Sequence, residues 1–557
     1  MGGFSSLNIG NRALHASQMG LNVTGHNIAN ADVQGYSRKR LSLGADYRRD
    51  TAHGQMGFGV NVISIERVRD THLDAQIRGQ LMEKGNYEAV DSALHTVEGI
   101  LKEPSDYGIQ HYMEKYFDAW DNLANNPDDQ AARAMLRTQA DTLTSVFQNA
   151  DKELRELQSG QNAQISAEVN ETNKILREID TLNKEIVSVE LAGQNANDSR
   201  DRRDQLLKDL AERIDYDVRE NESGAISITS GGNILLSPTT VNELEVYEKP
   251  GARQGDTTTL SVRVKASRRE MNITGGRIKG LMDTRDSYIP EYRDKIDTLA
   301  ISLTETINEQ HRQGYNLNGY TGFDFFNPAV TGASDFAVAD TIQSNTDNIA
   351  AARGGSIDRA GTNEFSVGEL SSGEGWVNLT RDGVTQDATN IVNGSVTVTV
   401  SLTGGDEVVL EEGVDYAVDY RSGRIQMLNS GYDGNDKTVD FDYMSGNFPG
   451  PGNNENAVRI GQLRDSLTMG EGSRKSMSFG DYYGSFIGEL GIDRDEASSN
   501  LKTRTVLIQE YEERQDSIAG VSLDEEMSNL IRYQRTYQAA ARIITTSRDM
   551  LDILLNL

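Results

Sequence analysis

Leu7, Leu14, Leu21 and Ile28 recur every seven residues through the first thirty positions, which draws one apolar stripe along one helix face. The neighbouring positions Gly10, Ser17 and Thr24 are small, so the stripe is narrow. It suits a helix docked on its own domain and equally a helix packed on a second helix. The far end repeats the pattern: Leu530, Tyr533, Tyr537, Ala540, Ile544, Ser547, Leu551 and Leu554 alternate three and four apart. Ser522, with Glu525 three residues later, reads as a capping box that starts this helix. Coiled-coil-like helices at both ends predict a nested architecture in which the ends pair and the middle is inserted.

Between the ends the period changes twice. Residues 60–220 read as long helices, with Val169, Leu176, Ile179, Leu182, Ile186 and Val189 on one bundle-like face. "GAISITSGGNILLSPTTVNELEVY" then switches to short strands joined by Gly-rich turns, a small β region over about 215–270, and helix returns at 276–312. "GSVTVTVSLTGGDEVVLEEGVDYAVDYRSGRIQML" alternates β-branched and polar residues, with a hairpin around Ser422-Gly423. That pattern predicts a sandwich-like all-β domain. "GNFPGPGNNEN" (446–456) reads as the linker back to helix. The expected fold is multidomain α+β and discontinuous. Residues 1–45 with 520–557 form a terminal helical domain, 46–349 with 449–519 a long-helix domain with a small β region, and 350–448 an inserted, solvent-facing all-β domain.

Composition narrows the partners. A chain of 557 residues exceeds one hydrophobic core. Fifty-five basic residues against 85 acidic give a formal charge of −30, which repels phosphates and anionic headgroups, so neither nucleic acid nor membrane is an expected partner. Within 353–448 sixteen acidic residues face six basic ones. Cysteine is absent, which removes disulfides and thiolate chemistry. The first residues lack a basic segment followed by an apolar core, so no Sec signal peptide is expected.

The search for chemistry returns little. His15, His26, His53, His72, His95, His111 and His311 form no close metal pair on one helix face. "GGRIKG" has the wrong spacing for a phosphate loop. "YDGNDKTVDFD" resembles half a calcium loop without the closing glutamate. "NANDSRDRRDQLL" reads as a solvated, salt-bridged helix surface. No catalytic, metal or cofactor site is expected, and no enzyme. "HNIANADVQGYSRKR" (26–40) reads as a helix end near Asn30, a turn at Gly35, and then an extended run. Arg38-Lys39-Arg40 reads as a clamp, with "DEE" (524–526) a candidate acidic partner.

The same residues carry a resemblance. "SSLNIGNRALHASQMGLNVTGHNIANADVQGYSRKR" resembles the N-terminal signature of the bacterial flagellar rod, hook and hook-associated proteins. Asn27, Asn30, Gly35, Tyr36 and Arg38 stand at its strongest positions, and Gln34 departs from the usual Thr or Pro. "GVSLDEEMSNLIRYQRTYQAAARIITTSRDMLDILLNL" is similar to the group's C-terminal helix. "NDSRDRRDQLLKDLAERIDYDV" and "GGRIKGLMDTRDSYIPEYRDKIDTLAISLTETINEQHRQGYNLNG" resemble the hook-associated protein 1 family, as does the ending "YNLNGYTGFDFF". The 350–448 domain matches nothing.

The resemblance implies an extracellular structural subunit at the hook–filament junction, exported by the flagellar type III apparatus. Implied partners are copies of itself in a ring, the hook protein, the next hook-associated junction protein, and an export chaperone on the C-terminal helix. Leu530, Tyr533, Tyr537, Ile544, Leu551 and Leu554 are the residues for that surface, and Leu7, Leu14, Leu21 and Ile28 for N-terminal assembly. A hook or distal rod protein and a secreted adhesin are the alternatives. Isolated helices gain little without packing, so both ends are expected to be flexible in a monomer and to order on assembly.

Overall fold

A computed structural model describes the chain except residues 1, 34, 46–47, 52–53, 58, 250–258, 355–356, 360–362, 367, 381–389, 403–405, 421, 445–447, 471–474 and 556–557. It opens with helix α1 (Gly2–Ala29) and strands β1 (Lys39–Ala45), β2 (Arg48–Thr51), β3 (Gly54–Gly57) and β4 (Val60–Arg67). Helices α2 (Thr71–Leu101), α3 (Ile109–Asn125), α4 (Gln130–Leu191) and α5 (Asn197–Ala211) follow. The first β region holds β5 (Asp217–Glu220), β6 (Ile226–Ser230), β7 (Asn233–Ser237), β8 (Thr240–Val241), β9 (Leu244–Lys249), β10 (Thr259–Val264) and β11 (Arg269–Glu270). Helices α6 (Gly276–Asp283), α7 (Ile289–His311) and the short α8 (Asp340–Ser344) lead to the second. It contains β12 (Ile357–Arg359), β13 (Asn363–Phe365), β14 (Val377–Asn378), β15 (Thr397–Ser401), β16 (Glu407–Val409), β17 (Tyr416–Asp419), β18 (Arg424–Met427), β19 (Asp436–Asp440) and β20 (Asp442–Met444). Helices α9 (Glu455–Gln462), α10 (Phe479–Ala519) and α11 (Leu523–Leu555) close the chain.

The residues divide into two compact units, one of 1–93, 158–286 and 494–557, the other of 94–157 and 287–493. The first has its core where α4 and α5 lie against the first β region. Ile165, Val169, Leu176 and Ile179 of α4 meet Leu206, Leu207 and Leu210 of α5 and Ile228, Leu236, Val262 and Val264 of the strands. Residues 60–67, expected as helix, are instead strand β4, paired antiparallel with β1 at Leu41↔Ile65. Its β-branched residues fit a pleated surface, and helix waits for Asp70, whose carboxylate accepts the amides of His72 and Leu73 at 3.0 and 3.2 Å.

The second unit holds an aromatic core and an all-β region. Tyr116 and Trp120 of α3 pack on Phe325 and Phe326, which come from the "GFDFF" segment, with Phe336 beside them. In the all-β region one sheet has the order β13-β19-β15-β16 and another β14-β18-β17. Val398, Val400 and Val439 of the first share a core with Ile425, Met427 and Tyr416 of the second. Strands β17 and β18 form the hairpin read around Ser422-Gly423, with Gly423 at φ +68°.

His311 closes α7 inside the aromatic core, fully buried. Its Nδ1 lies 2.6 Å from the Phe323 carbonyl, and its Nε2 accepts the Ala350 amide at 2.9 Å. These partners fix the neutral ring with its proton on Nδ1. Burial, aided by the nearby Arg133 and Arg312 guanidiniums, lowers its pKa from 6.5 to about 4. The neutral form is the one the fold favours, so this stability is complete above pH 6.5 and is lost as pH falls toward 4, with no further loss below. The loss approaches about 3 kcal/mol. Thermal unfolding followed from pH 7 to 4 is expected to show a falling Tm, with a shallower fall in His311→Gln; equal slopes in both proteins refute the assignment.

Candidate functional site at the paired chain ends

The two chain ends lie together in the first unit. Helices α1 and α11 run antiparallel, Gly10 beside Ile544 and Asn27 beside Glu526. The buried residues of α1 include Gly10, Ala16, Ser17, Gly20, Val23, Thr24 and Asn27, and those of α11 include Glu526, Ala540 and Ser547. A Cβ added to Gly10 would sit 2.8 Å from Ile544 Cγ1, and one on Gly20 2.6 Å from the Tyr533 ring. Glycines on α1 thus make room for Ile544 and Tyr533 of α11 and let the helices approach.

The expected stripe is only partly covered, although Tyr533 and Ile544 of α11 face the glycines of α1. Leu7, Leu14, Leu21 and Ile28 are half-buried, as are Leu530, Tyr533, Ile544 and Leu551. Tyr537 is exposed, and the side chain of Leu554 lies outside the described residues. At Gly10 and Gly20 a leucine would force apart helices this close. In this structure both ends are helical and lie against each other within one chain.

The motif at the exit of α1 is a network of hydrogen bonds. Asn27 accepts the Lys39 amide at 3.0 Å and donates to the Lys39 carbonyl at 2.9 Å and to Glu526 at 3.2 Å. The Tyr36 hydroxyl donates to Asn27 at 2.8 Å. Burial, then the carboxylates of Asp198, Asp201 and Glu526, push the Tyr36 pKa up, so it remains a neutral donor. Asn30 donates to the His26 carbonyl at 2.8 Å, at the end of α1. Gly35 sits at φ +80°, the left-handed conformation glycine adopts freely, and a Cβ there would lie 3.3 Å from Gln205. Gln34 lies outside the described residues.

Arg38 is the clamp. Its guanidinium reaches Glu526 at 2.9 Å and Glu525 at 2.8 Å, and its amide donates to the Ala519 carbonyl at 3.0 Å. Glu526 is buried and Glu525 exposed, so the Glu526 contact is the less screened of the two. Ser522 accepts the Glu525 amide at 3.4 Å, a long contact that supplies the N-cap half of the expected capping box. The Glu525 carboxylate is taken by Arg38 instead.

Helix α5 supplies what the sequence reading missed. Asp201 accepts the Ser37 hydroxyl at 2.6 Å, the Ser37 amide at 3.1 Å and Arg67 at 2.7 Å. Arg67 also reaches Asp204 at 2.8 Å, and Lys39 pairs with Asp198. Expected as solvated surface, α5 in fact buries Asp201 and Arg203. The available signal was spacing: Asp198, Asp201 and Asp204 stand three apart on one helix face, facing two separate basic runs. The bend borders a polar cleft of about 630 Å³ whose cations Arg38, Arg69 and Lys208 are each paired with a carboxylate. Among the described residues no group of three or more His, Asp or Glu could hold a metal ion, and no helix is long and apolar enough to cross a membrane.

Comparisons with known proteins fit this arrangement. Residues 516–557 match the family described as flagellar basal body rod FlgEFG protein C-terminal, and residues 94–326 the flagellar hook-associated protein FlgK helical domain. Flagellar hook-associated protein 1 of Bacillus subtilis is 27% identical over 592 residues, covering 99% of this chain and 98% of that protein. Its namesake in Salmonella typhimurium is 26% identical over 573 residues, covering 99% of this chain and 100% of that protein. The solved flagellar hook junction protein FlgK from Burkholderia pseudomallei has 17% identity and a TM-score of 0.56, covering 80% of this chain and 100% of that chain. That last likeness speaks for the fold alone. Residues 94–326 and 516–557 thus resemble flagellar hook-associated and rod or hook protein domains. Over nearly its whole length the chain is similar to flagellar hook-associated protein 1.

Arg38→Ala leaves the Glu526 carboxylate buried beside an uncharged amide, and is expected to destabilise the first unit by about 3 kcal/mol. Glu526→Ala alone leaves the guanidinium on Glu525 and is expected to cost less. The double variant is expected to lose clearly less than the sum of the singles. Additive losses in denaturant unfolding refute the clamp.

Proposed function

We propose that the chain is a structural subunit of the hook–filament junction, assembled through its paired terminal helices. The observation that carries this reading is the antiparallel pair of α1 and α11, closely packed at the glycines of α1 and tied by Arg38 to Glu525 and Glu526. The names of the full-length relatives support the location. In this reading residues 1–45 and 520–557 line the inner tube and polymerise. The long-helix domain of 46–349 and 449–519 lies outside them, and the acidic 350–448 domain faces solvent. Copies form a ring between the hook protein and the next junction protein. The chain leaves the cell through the type III apparatus and works in the extracellular flagellum without catalysis or cofactor.

An export chaperone on Leu530, Tyr533, Tyr537, Ile544, Leu551 and Leu554 belongs to the same proposal. In the folded chain α1 lies on that side of α11, so a chaperone reading the stripe binds before the ends pair or displaces α1. The hook or distal rod protein is the weaker alternative, because the likeness to hook-associated protein 1 spans nearly the whole chain.

Electron microscopy of a deletion strain is expected to show bare hooks, with filament subunits lost to the medium. Absent hooks would favour the hook or rod reading, and intact filaments would refute both. Restoring Gly20→Leu is expected to give a secreted protein that fails to retain filaments, because the leucine overpacks the Tyr533 contact. For the chaperone, Ile544→Asp with Leu551→Asp is expected to abolish co-purification of the chaperone with the unassembled chain; undiminished binding sinks that assignment.

A further inference from the structure

The chain has two tryptophans. Trp120 is fully buried in the helical aromatic core, whereas Trp376, immediately before β14, is 44% exposed. Ile425 and Met427 of β18 are buried in the all-β core, so alternation turns Arg424 and Gln426 outward. Val377 packs toward the same core, which puts Trp376 on the outer face. The Arg424 guanidinium centre lies 5.7 Å from the Trp376 ring. It donates to Asp419 at 2.9 Å and to Ser422 at 2.8 Å. Asn378, opposite Arg424 in the register, is exposed beside it.

We propose that this outer face of the β14-β18-β17 sheet is a binding platform for neutral hexose glycans. An indole presents an apolar ring on which the C–H face of a sugar can stack. Asp419, Asn378 and Gln426 offer the carboxylate and amide groups that hydroxyls pair with. Charge decides against anionic ligands. Arg424 is neutralised by Asp419, and the surrounding 353–448 segment carries sixteen acidic residues against six basic, a field that repels sialylated or sulfated glycans. A flat site with one aromatic ring binds each sugar weakly. Many copies in a ring would gain avidity from repetition; that gain alone rests on the proposed junction role, and the site itself does not.

The test uses the full chain unassembled, so it reads independently of flagellar assembly. Saturation-transfer NMR is recorded on neutral gluco-, manno- and galacto-oligosaccharides and on sialylated counterparts. Transfer to at least one neutral oligosaccharide is expected, with none to the sialylated set. Trp376→Ala should abolish it, Trp376→Phe should retain part because a ring remains, and Asp419→Asn should weaken binding roughly tenfold. Circular dichroism of each variant confirms that the β region is folded. No transfer from the wild type, equal transfer from Trp376→Ala, or preference for sialylated sugars overturns the proposal. So does capture of a proline-rich peptide in place of sugar.

Discussion

The buried carboxylate of Glu526 is the contact through which the two chain ends answer to each other. It stands in the first turn of α11, where the helix dipole favours a negative charge, and it receives Arg38 and Asn27. Arg38 begins the extended run that becomes β1, and Asn27 lies in the last turns of α1. One carboxylate thereby ties the exit of the first helix to the entry of the last, nearly five hundred residues apart in sequence. The Arg38 amide on the Ala519 carbonyl and Ser37 on Asp201 fix the same bend to α10 and α5. Without that carboxylate the guanidinium loses its buried partner and Asn27 one of its four bonds.

Periodicity made the long elements legible. The stripe on α4 and the strands of both β regions follow from spacing alone, because a buried face imposes its period directly on the sequence. The terminal pair was legible as two helices, but the α1 side of its seam was not. Heptad reasoning found Tyr533 and Ile544 on α11, but on α1 they are received by Gly10 and Gly20, which give no hydrophobic signal. The role of α5 was hidden for a related reason. Alternating charge has the same appearance whether its partners are solvent or a buried basic run, and only the fold brings residues 37–39 and 67 to Asp198, Asp201 and Asp204. The basic clamp itself was readable, since an isolated cationic run in an acidic chain requires nearby anions and "DEE" was available.

The absence of recognised chemistry in the sequence has a counterpart in how polar groups are used. His311 has both ring nitrogens committed to backbone groups. Arg203 is buried against the Gly224 carbonyl, Asn183 and Glu220. Arg133 spans the Pro127 and Ile349 carbonyls. In each case a group capable of chemistry is spent on fixing a loop to a helix.

The choice of small residues on the α1 side of the terminal seam has an energetic consequence. Full burial of a leucine or isoleucine contributes roughly 1.5–3 kcal/mol, and glycine, serine and threonine contribute far less. On the α1 side the pair therefore gains less from its contact area, and the polar clamp at one end sets its alignment. Meanwhile Leu7, Leu14, Leu21 and Ile28 stay half-covered on α1, and Met527, Ile531, Ile543, Met550 and Ile553 are exposed on α11. A pair that leaves these side chains in water leaves much of its hydrophobic free energy unrealised within one chain. For a self-contained domain that distribution is a liability. It is economical only if further burial awaits the same surface.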